Sequence, residues 1–332
     1  MAVRRYQGFP ETLLSYEAHE LDDVLGGPTL IDVPGRDERP LFVSVLLHGN
    51  ETSGWDALRR LLGERRELPR AMLIFIGNTA AAAANVRTLP HQQDYNRIWR
   101  GAGGEEGEMA AEVMEELRGR PLFAAIDMHN NTGKNPHYAI ATSLREGALG
   151  LAYLFADRAV YAEQPVSVQT RYFNDRCPAV AVELGPVGDP ECVERAYSFL
   201  ERCLTIGEIP PPDHEQLKLH RTLASVHIKG GVPFSFADDR RDTALVLTAG
   251  MEAVNFHSLA AGTEFGSGDA DVSELIEVLD AKGRVVTRQY LRSERGAILL
   301  EHPIVPAMYT TDPEVIRQDC LCYFMARLPL PR

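Results

Sequence analysis

Short unbroken apolar runs alternate with helix-spaced segments over roughly the first two hundred residues. The runs are LFVSVLL (41–47), AMLIFIG (71–77), LFAAIDM (122–128) and AVAVEL (179–184). Runs this short, apolar at nearly every position rather than at alternate ones, predict strands covered on both faces. Between them apolar residues recur at helical spacing over 52–64, 107–118, 147–162 and 190–204, the last through Val193, Ala196, Tyr197 and Leu200. Strands alternating with helices predict an α/β sheet.

The texture changes after IPPPDHEQ (209–216), where successive prolines remove backbone donors and predict a linker. Beyond it RTLASVHI, ALVLTAG, ELIEVLDAKGRVVTRQYL and AILLEHPIV read as strands, with a hairpin-like turn at DAKG. The pattern predicts one domain over residues 1–208 and a smaller, β-rich domain over 209–332 that ends in a helical tail from about Pro313 to Arg327. A length of 332 residues agrees, since single cores stop growing at roughly 250–300.

Composition narrows the partners. An apolar fraction of 45% and a charged fraction of 24% are those of an ordinary globular chain, and no segment has the roughly 18 consecutive apolar residues of a membrane helix. The N-terminal MAVRRYQGFPETLLSYEAHE carries two arginines with no apolar stretch behind them, so no secretory signal is expected and the cytoplasm is the default compartment. Five cysteines, an odd number without CxxC spacing, predict neither a disulfide framework nor a thiolate zinc site. A net charge of -13 opposes nucleic acid and anionic membranes. A small molecule is the expected partner, with a homo-oligomer open. The loop GAGGEEGE (101–108) follows a polar segment instead of a strand, and its adjacent glutamates would repel phosphate, so it is no dinucleotide loop.

Candidate chemistry sits at the ends of the apolar runs, where functional groups of open α/β sheets gather. His48 and Glu51 follow the first run in LLHGNETSG, and an imidazole and a carboxylate three residues apart can reach one cation. Alone, such a pair arises easily by chance and reads more readily as a solvated turn with a helix-capping carboxylate. His129 ends the third run in AAIDMHNNTG and completes a His₂Glu set, a zinc-binding composition that keeps one position open. Asp127, on the same face of that strand, can take a ring N–H from a liganding histidine or simply cap a loop. Glu183 closes the fourth run before a Gly-Pro turn, as a proton carrier for hydrolysis or as an ordinary strand terminus.

Four motifs in this order, HGNE, DYNR, IDMHN and VELGP, resemble the succinylglutamate desuccinylase and aspartoacylase family, a branch of the zinc carboxypeptidase-like hydrolases. The resemblance covers residues 41–203 well and the β-rich remainder loosely. It implies a mixed sheet flanked by helices, zinc (Zn²⁺) held by His48, Glu51 and His129, and Glu183 as acid and base. It further implies that Asn96 and Arg97 of DYNR bind a substrate carboxylate, for which a guanidinium fork is suited, and that Arg87 polarises the scissile carbonyl. Tyr309, in IVPAMYTTDP, is the candidate for a tyrosine that the family's C-terminal domain offers to the site. The chain departs from the pattern in TLPHQQDY, longer than usual, and in GNTAA where GNPxA is usual. His91, His137 and His257 receive no role. The expected activity is zinc-dependent cleavage of an N-acyl amino acid or similar small amide. A metallocarboxypeptidase of short peptides and a non-catalytic metal-binding module are the alternatives.

Overall fold

The computed structural model describes residues 2–131, 133–236 and 243–331. They fall into two compact units, the first reaching Asn131 and resuming over His137–Lys218, the second formed by Leu219–Leu330 with a short piece at 133–136.

The first unit is a mixed sheet with helices. Its strands are β1 (Arg4–Gln7), β2 (Thr29–Val33), β3 (Gly35–Val45), β4 (Leu68–Ile76), β5 (Ala124–His129), β6 (Tyr138–Ala141), β7 (Arg158–Tyr161) and β8 (Ala179–Glu183). They lie in the order β1-β2-β4-β3-β5-β8-β6-β7. The central neighbours β4, β3, β5 and β8 are all parallel, while β2 meets β4 and β6 meets β8 in antiparallel fashion. The apolar runs are these central strands: Phe42, Val43, Leu73, Ile74, Ile126 and Val180 have no exposed surface, as parallel strands covered on both faces require.

The helices are α1 (Leu21–Leu25), α2 (Ser53–Glu64), α3 (Thr79–Ala83), α4 (Gly104–Glu116), α5 (Glu146–Phe155), α6 (Gln169–Phe173) and α7 (Pro190–Thr205). In α2 the buried positions Trp55, Leu58 and Leu61 recur at helical spacing. Helix α7 starts at Asp189, whose side chain accepts from Glu191 N, with Pro190 in the first turn, where its missing donor costs nothing. Its buried stripe runs through Cys192, Ala196, Phe199, Leu200 and Cys203. Val193 and Tyr197 stand at its margin, Tyr197 under the Arg60 guanidinium.

Two segments differ from expectation. The helix anticipated over 147–162 stops at Phe155, and 158–161 is β7, paired in parallel with β6. The β-formers Val160 and Tyr161 gain more from pairing with β6 than from another helical turn. The proline-rich stretch 209–216 belongs to the first unit, with the Pro210 carbonyl packed against Gly150 of α5.

The second unit is β-rich. Strand β9 (Lys218–Ile228) pairs with β13 (Ile276–Asp280) and β17 (Cys322–Arg327), and β17 with β16 (Val305–Ala307), all antiparallel. A second sheet runs β10 (Phe234–Phe236), β11 (Leu245–Leu247), β12 (Glu264–Gly268), β15 (Ala297–Leu300), β14 (Leu291–Glu294). Within the expected helical tail only Pro313–Gln318 is helical, and Cys322–Arg327 are β17. Buried Cys322, Phe324 and Met325 are held there by a sheet partner, which sequence periodicity does not reveal. Phe265 anchors this core, edge-on to Tyr309 and Phe324 with ring centroids 5.9 and 5.5 Å away. The five cysteines are buried and form no disulfide among the described residues. Among the described residues no helix is long and apolar enough to cross a membrane.

Candidate metal centre and active site

Three neighbouring parallel strands, β3, β5 and β8, end side by side, and each delivers one part of the site. His129 and Glu183 are the last residues of β5 and β8 and face each other in register. The third part follows β3 through a sharp turn. Leu46 adopts φ 56°, a costly conformation for a branched side chain that is characteristic of functional turns. Gly49 lies so close to α3 that an added Cβ would sit 2.2 Å from the Ala81 carbonyl carbon. Only glycine allows that approach. Glu51 then precedes α2.

The structure brings His48, Glu51 and His129 together, all buried, with one ligand atom from each within 4.8 Å of the others. His48 Nδ1 is 2.8 Å from Glu51 Oε1 and His129 Nδ1 is 2.7 Å from Glu51 Oε2. Both second ring nitrogens point away, to carboxylates. His48 Nε2 is 3.1 Å from Asp94 Oδ1, and His129 Nε2 is 2.8 Å from Asp127 Oδ2. A ring whose Nε2–H is committed to a carboxylate presents its Nδ1 lone pair, the form in which imidazole binds a cation. Two histidine nitrogens and a carboxylate converging in this way fit a divalent metal ion.

Burial works against charge here, and the neighbours decide the outcome. Burial opposes ionisation of Glu51, but the facing His48 and His129 outweigh it and hold the carboxyl well below its ordinary range. Asp94 behaves alike: burial opposes, and His48, Arg87 and Arg97 hold it well down. Burial resists the charging of His129, yet Asp127 and Glu51 raise its pKa well above the usual histidine value. Glu183 differs. Burial pushes its carboxyl up to about 7, opposed by His129 and reinforced by Glu51, and its Oε2 has no hydrogen-bond partner among the described residues.

The DYNR segment borders this cluster. Arg87 Nη2 is 2.9 Å from Asp94 Oδ2 and its Nη1 is 3.8 Å from Glu51 Oε1, so this guanidinium faces the cluster while gripped by Asp94. Asn96 Oδ1 accepts from Gln169 N at 3.2 Å, which fixes the amide and puts its Nδ2 3.1 Å from His129 Nε2. The same ring nitrogen lies 2.8 Å from Asp127 Oδ2, so it can accept from Asn96 only in the tautomer that carries its hydrogen on Nδ1. Half-buried Arg97 donates to the Asn96 carbonyl at 3.0 Å. Tyr309 stands in the core of the second unit, its backbone held by the Asn255 side chain and its hydroxyl without a partner among the described residues.

Several contributors carried no signal in the sequence. Asn130 donates to Ser53 Oγ and to the Gly185 carbonyl, at 3.0 and 2.9 Å, and accepts from Ser53 N, tying the start of α2 to the turn after β8. Ser44 and Gln169 lie behind Asp127. Asp94 was the legible one, being the acidic head of a motif already singled out.

Comparison with known proteins gives this arrangement a setting. No curated protein sequence matches the chain. Among solved structures it resembles the succinylglutamate desuccinylase from Chromobacterium violaceum, at 18% identity and a TM-score of 0.59 over 91% of this chain and 89% of that one. Murine aminoacylase 3 is similar at 18% identity and a TM-score of 0.57, over 90% of this chain and 99% of that one. A succinylglutamate desuccinylase/aspartoacylase from Rhodobacter sphaeroides matches at 14% identity and 0.59, over 90% and 88%. At such identities the likeness is one of fold: a mixed α/β sheet flanked by helices with a β-rich C-terminal region. The model of the succinylglutamate desuccinylase/aspartoacylase catalytic domain, however, matches the sequence itself over residues 38–204, half of the chain, a span that contains every residue of the cluster. The chain therefore belongs to the succinylglutamate desuccinylase/aspartoacylase family, whose members are hydrolases.

Proposed function

We propose that this protein is a zinc-dependent deacylase that hydrolyses the amide bond of an N-acyl amino acid or a similar small amide bearing a carboxylate. The observation that carries the reading is the placing of two histidine Nδ1 atoms on the two oxygens of one buried carboxylate, with a second carboxyl at the end of the adjacent strand whose Oε2 has no hydrogen-bond partner among the described residues. The first three side chains would hold the ion. A divalent cation there supplies a Lewis acid that polarises a carbonyl and acidifies water.

The remaining chemistry falls to the chain's own groups. Glu183, with a pKa of about 7, is matched to take a proton from water and pass it to the departing nitrogen at neutral pH. Asn96, whose amide nitrogen lies 3.1 Å from His129 Nε2 at the edge of the cluster, and Arg97 anchor the substrate carboxylate. Arg87, held in direction by Asp94, places positive charge where the carbonyl oxygen becomes negative. Asp94 and Asp127 keep both imidazoles turned with Nδ1 inward. The reading implies a cytoplasmic enzyme with a small-molecule substrate.

The test is a metal analysis of the purified protein joined to an assay of N-acetyl and N-succinyl amino acids against short peptides. Stoichiometric zinc and turnover of acyl amino acids are expected. Turnover of peptides alone would replace the deacylase by a metallocarboxypeptidase, and turnover undiminished by complete removal of metal would end the metal-dependent reading.

A further inference from the structure

Asp127 is bonded through both oxygens, Oδ2 to His129 Nε2 and Oδ1 to Ser44 Oγ, each at 2.8 Å. Ser44 Oγ also lies 2.5 Å from Gln169 Oε1, while Gln169 Nε2 has no acceptor among the described residues. Ser44, Asp127 and Gln169 are each 0–1% exposed, so bulk water does not complete the pattern.

A serine hydroxyl has one hydrogen. Given to Gln169 Oε1, it leaves Asp127 Oδ1 facing an oxygen lone pair at 2.8 Å and strands both Gln169 N–H groups in the interior, a costly arrangement. The oxygen and nitrogen of a carboxamide have nearly the same shape, so hydrogen-bond chemistry decides which one faces Ser44. Turning the amide over lets Nε2 donate to Ser44 Oγ, and Ser44 then donates to Asp127 Oδ1. Asp127 Oδ2 accepts from His129 Nε2–H, which leaves His129 Nδ1 able to turn a lone pair to an ion held between it and Glu51.

We infer that Gln169 and Ser44 are positioning residues, a directed chain from Gln169 Nε2 through Ser44 Oγ to Asp127 that fixes which nitrogen of His129 faces the ion. The inference rests on the reading of His48, Glu51 and His129 as a cation site. Gln169 has a second attachment: its backbone N, at the start of α6, donates to Asn96 Oδ1. Its main chain thus serves the substrate side while its side chain serves the metal side, and side-chain substitutions test only the latter.

Zinc dissociation constants of the full chain, measured by chelator competition for Ser44→Ala, Gln169→Met and the double variant, decide the matter. His129→Ala serves as reference, and the melting of each zinc-free protein is followed in parallel. Ser44→Ala should weaken Zn²⁺ binding by up to about 10-fold, at or below the roughly 10–100-fold usual for the group directly behind a ligand, because it acts one step further out, through Asp127. Gln169→Met should weaken it in the same direction but less, and the double variant by less than the product, since both act through one oxygen of Asp127. A purely structural role would lower the melting temperature and leave the zinc constant of the folded protein unchanged, which overturns the inference. So would zinc binding in Gln169→Met as tight as in the parent or tighter, because a Ser44 hydrogen then released to Asp127 means that the chain runs the other way. Should Gln169→Met fail to fold, an unchanged constant in Ser44→Ala alone is decisive against it. If His129→Ala itself binds Zn²⁺ as the parent does, the cation site is refuted and the inference falls with it.

Discussion

Asp94 holds His48 from behind: its Oδ1 lies 3.1 Å from His48 Nε2, while its other oxygen grips Arg87 at 2.9 Å. One carboxylate therefore orients a proposed metal ligand and a proposed substrate cation together. Asp94→Asn keeps the shape and removes the charge. Zinc affinity should fall about 10–100-fold, and turnover should fall further than zinc occupancy accounts for, because Arg87 loses its anchor. Chelator competition and kcat at saturating zinc separate the two effects.

Glu183→Gln should reduce kcat by about 100- to 10,000-fold, the range typical of a lost general acid and base. Zinc content should be that of the parent, since the carboxyl stands outside the His48, Glu51 and His129 set. Steady-state kinetics with metal analysis of the same preparation checks both halves.

The pKa of Glu183 also predicts a pH-dependent stability. Burial raises the folded value from 4.5 to about 7, so the folded state binds this proton more tightly than the unfolded chain does. The resulting stabilisation is fully present below about pH 4.5 and is lost as pH rises through about 7, by an amount on the order of 3 kcal/mol. Glu183→Gln lacks this loss. In chelator-treated protein the variant should gain stability on the parent progressively between those pH values and hold the gain above them. Urea unfolding of both proteins across the range reads it out, and parallel curves would show that the carboxyl is not buried as described.

Gly49→Ala should destabilise by about 1–3 kcal/mol or more, since the new methyl meets the backbone of α3 at 2.2 Å and backbone cannot step aside. The loop that carries His48 and Glu51 would be displaced, so zinc affinity should fall as well. Chemical unfolding and zinc competition on the one variant test the pair of effects.

What the sequence discloses follows from the range of the physics involved. Strands covered on both faces write themselves as apolar runs, so β3, β4, β5 and β8 were legible, and with them the strand ends where His48, His129 and Glu183 stand. Short strands such as β7 and β17 take their form from pairing partners, and apolar periodicity alone reads those segments as helix. Asp127 shares a strand with His129 and could be placed behind it by alternation alone. Ser44 and Gln169 meet across 125 positions, and neither residue type marks such an encounter in advance. Asn130 follows His129 directly, but its task is set by Ser53 and Gly185, which only the fold brings near.

The pairing of β5 with β8 has a consequence of its own. Successive side chains on a strand point to opposite faces, so a slip of one position would swing Glu183 to the far side of the sheet from His129. The alignment of two hydrophobic segments is thus itself a component of the proposed site. Substitutions in the apolar middle of either segment would part the proposed site without touching a polar atom, merely by letting one ribbon shift against its neighbour.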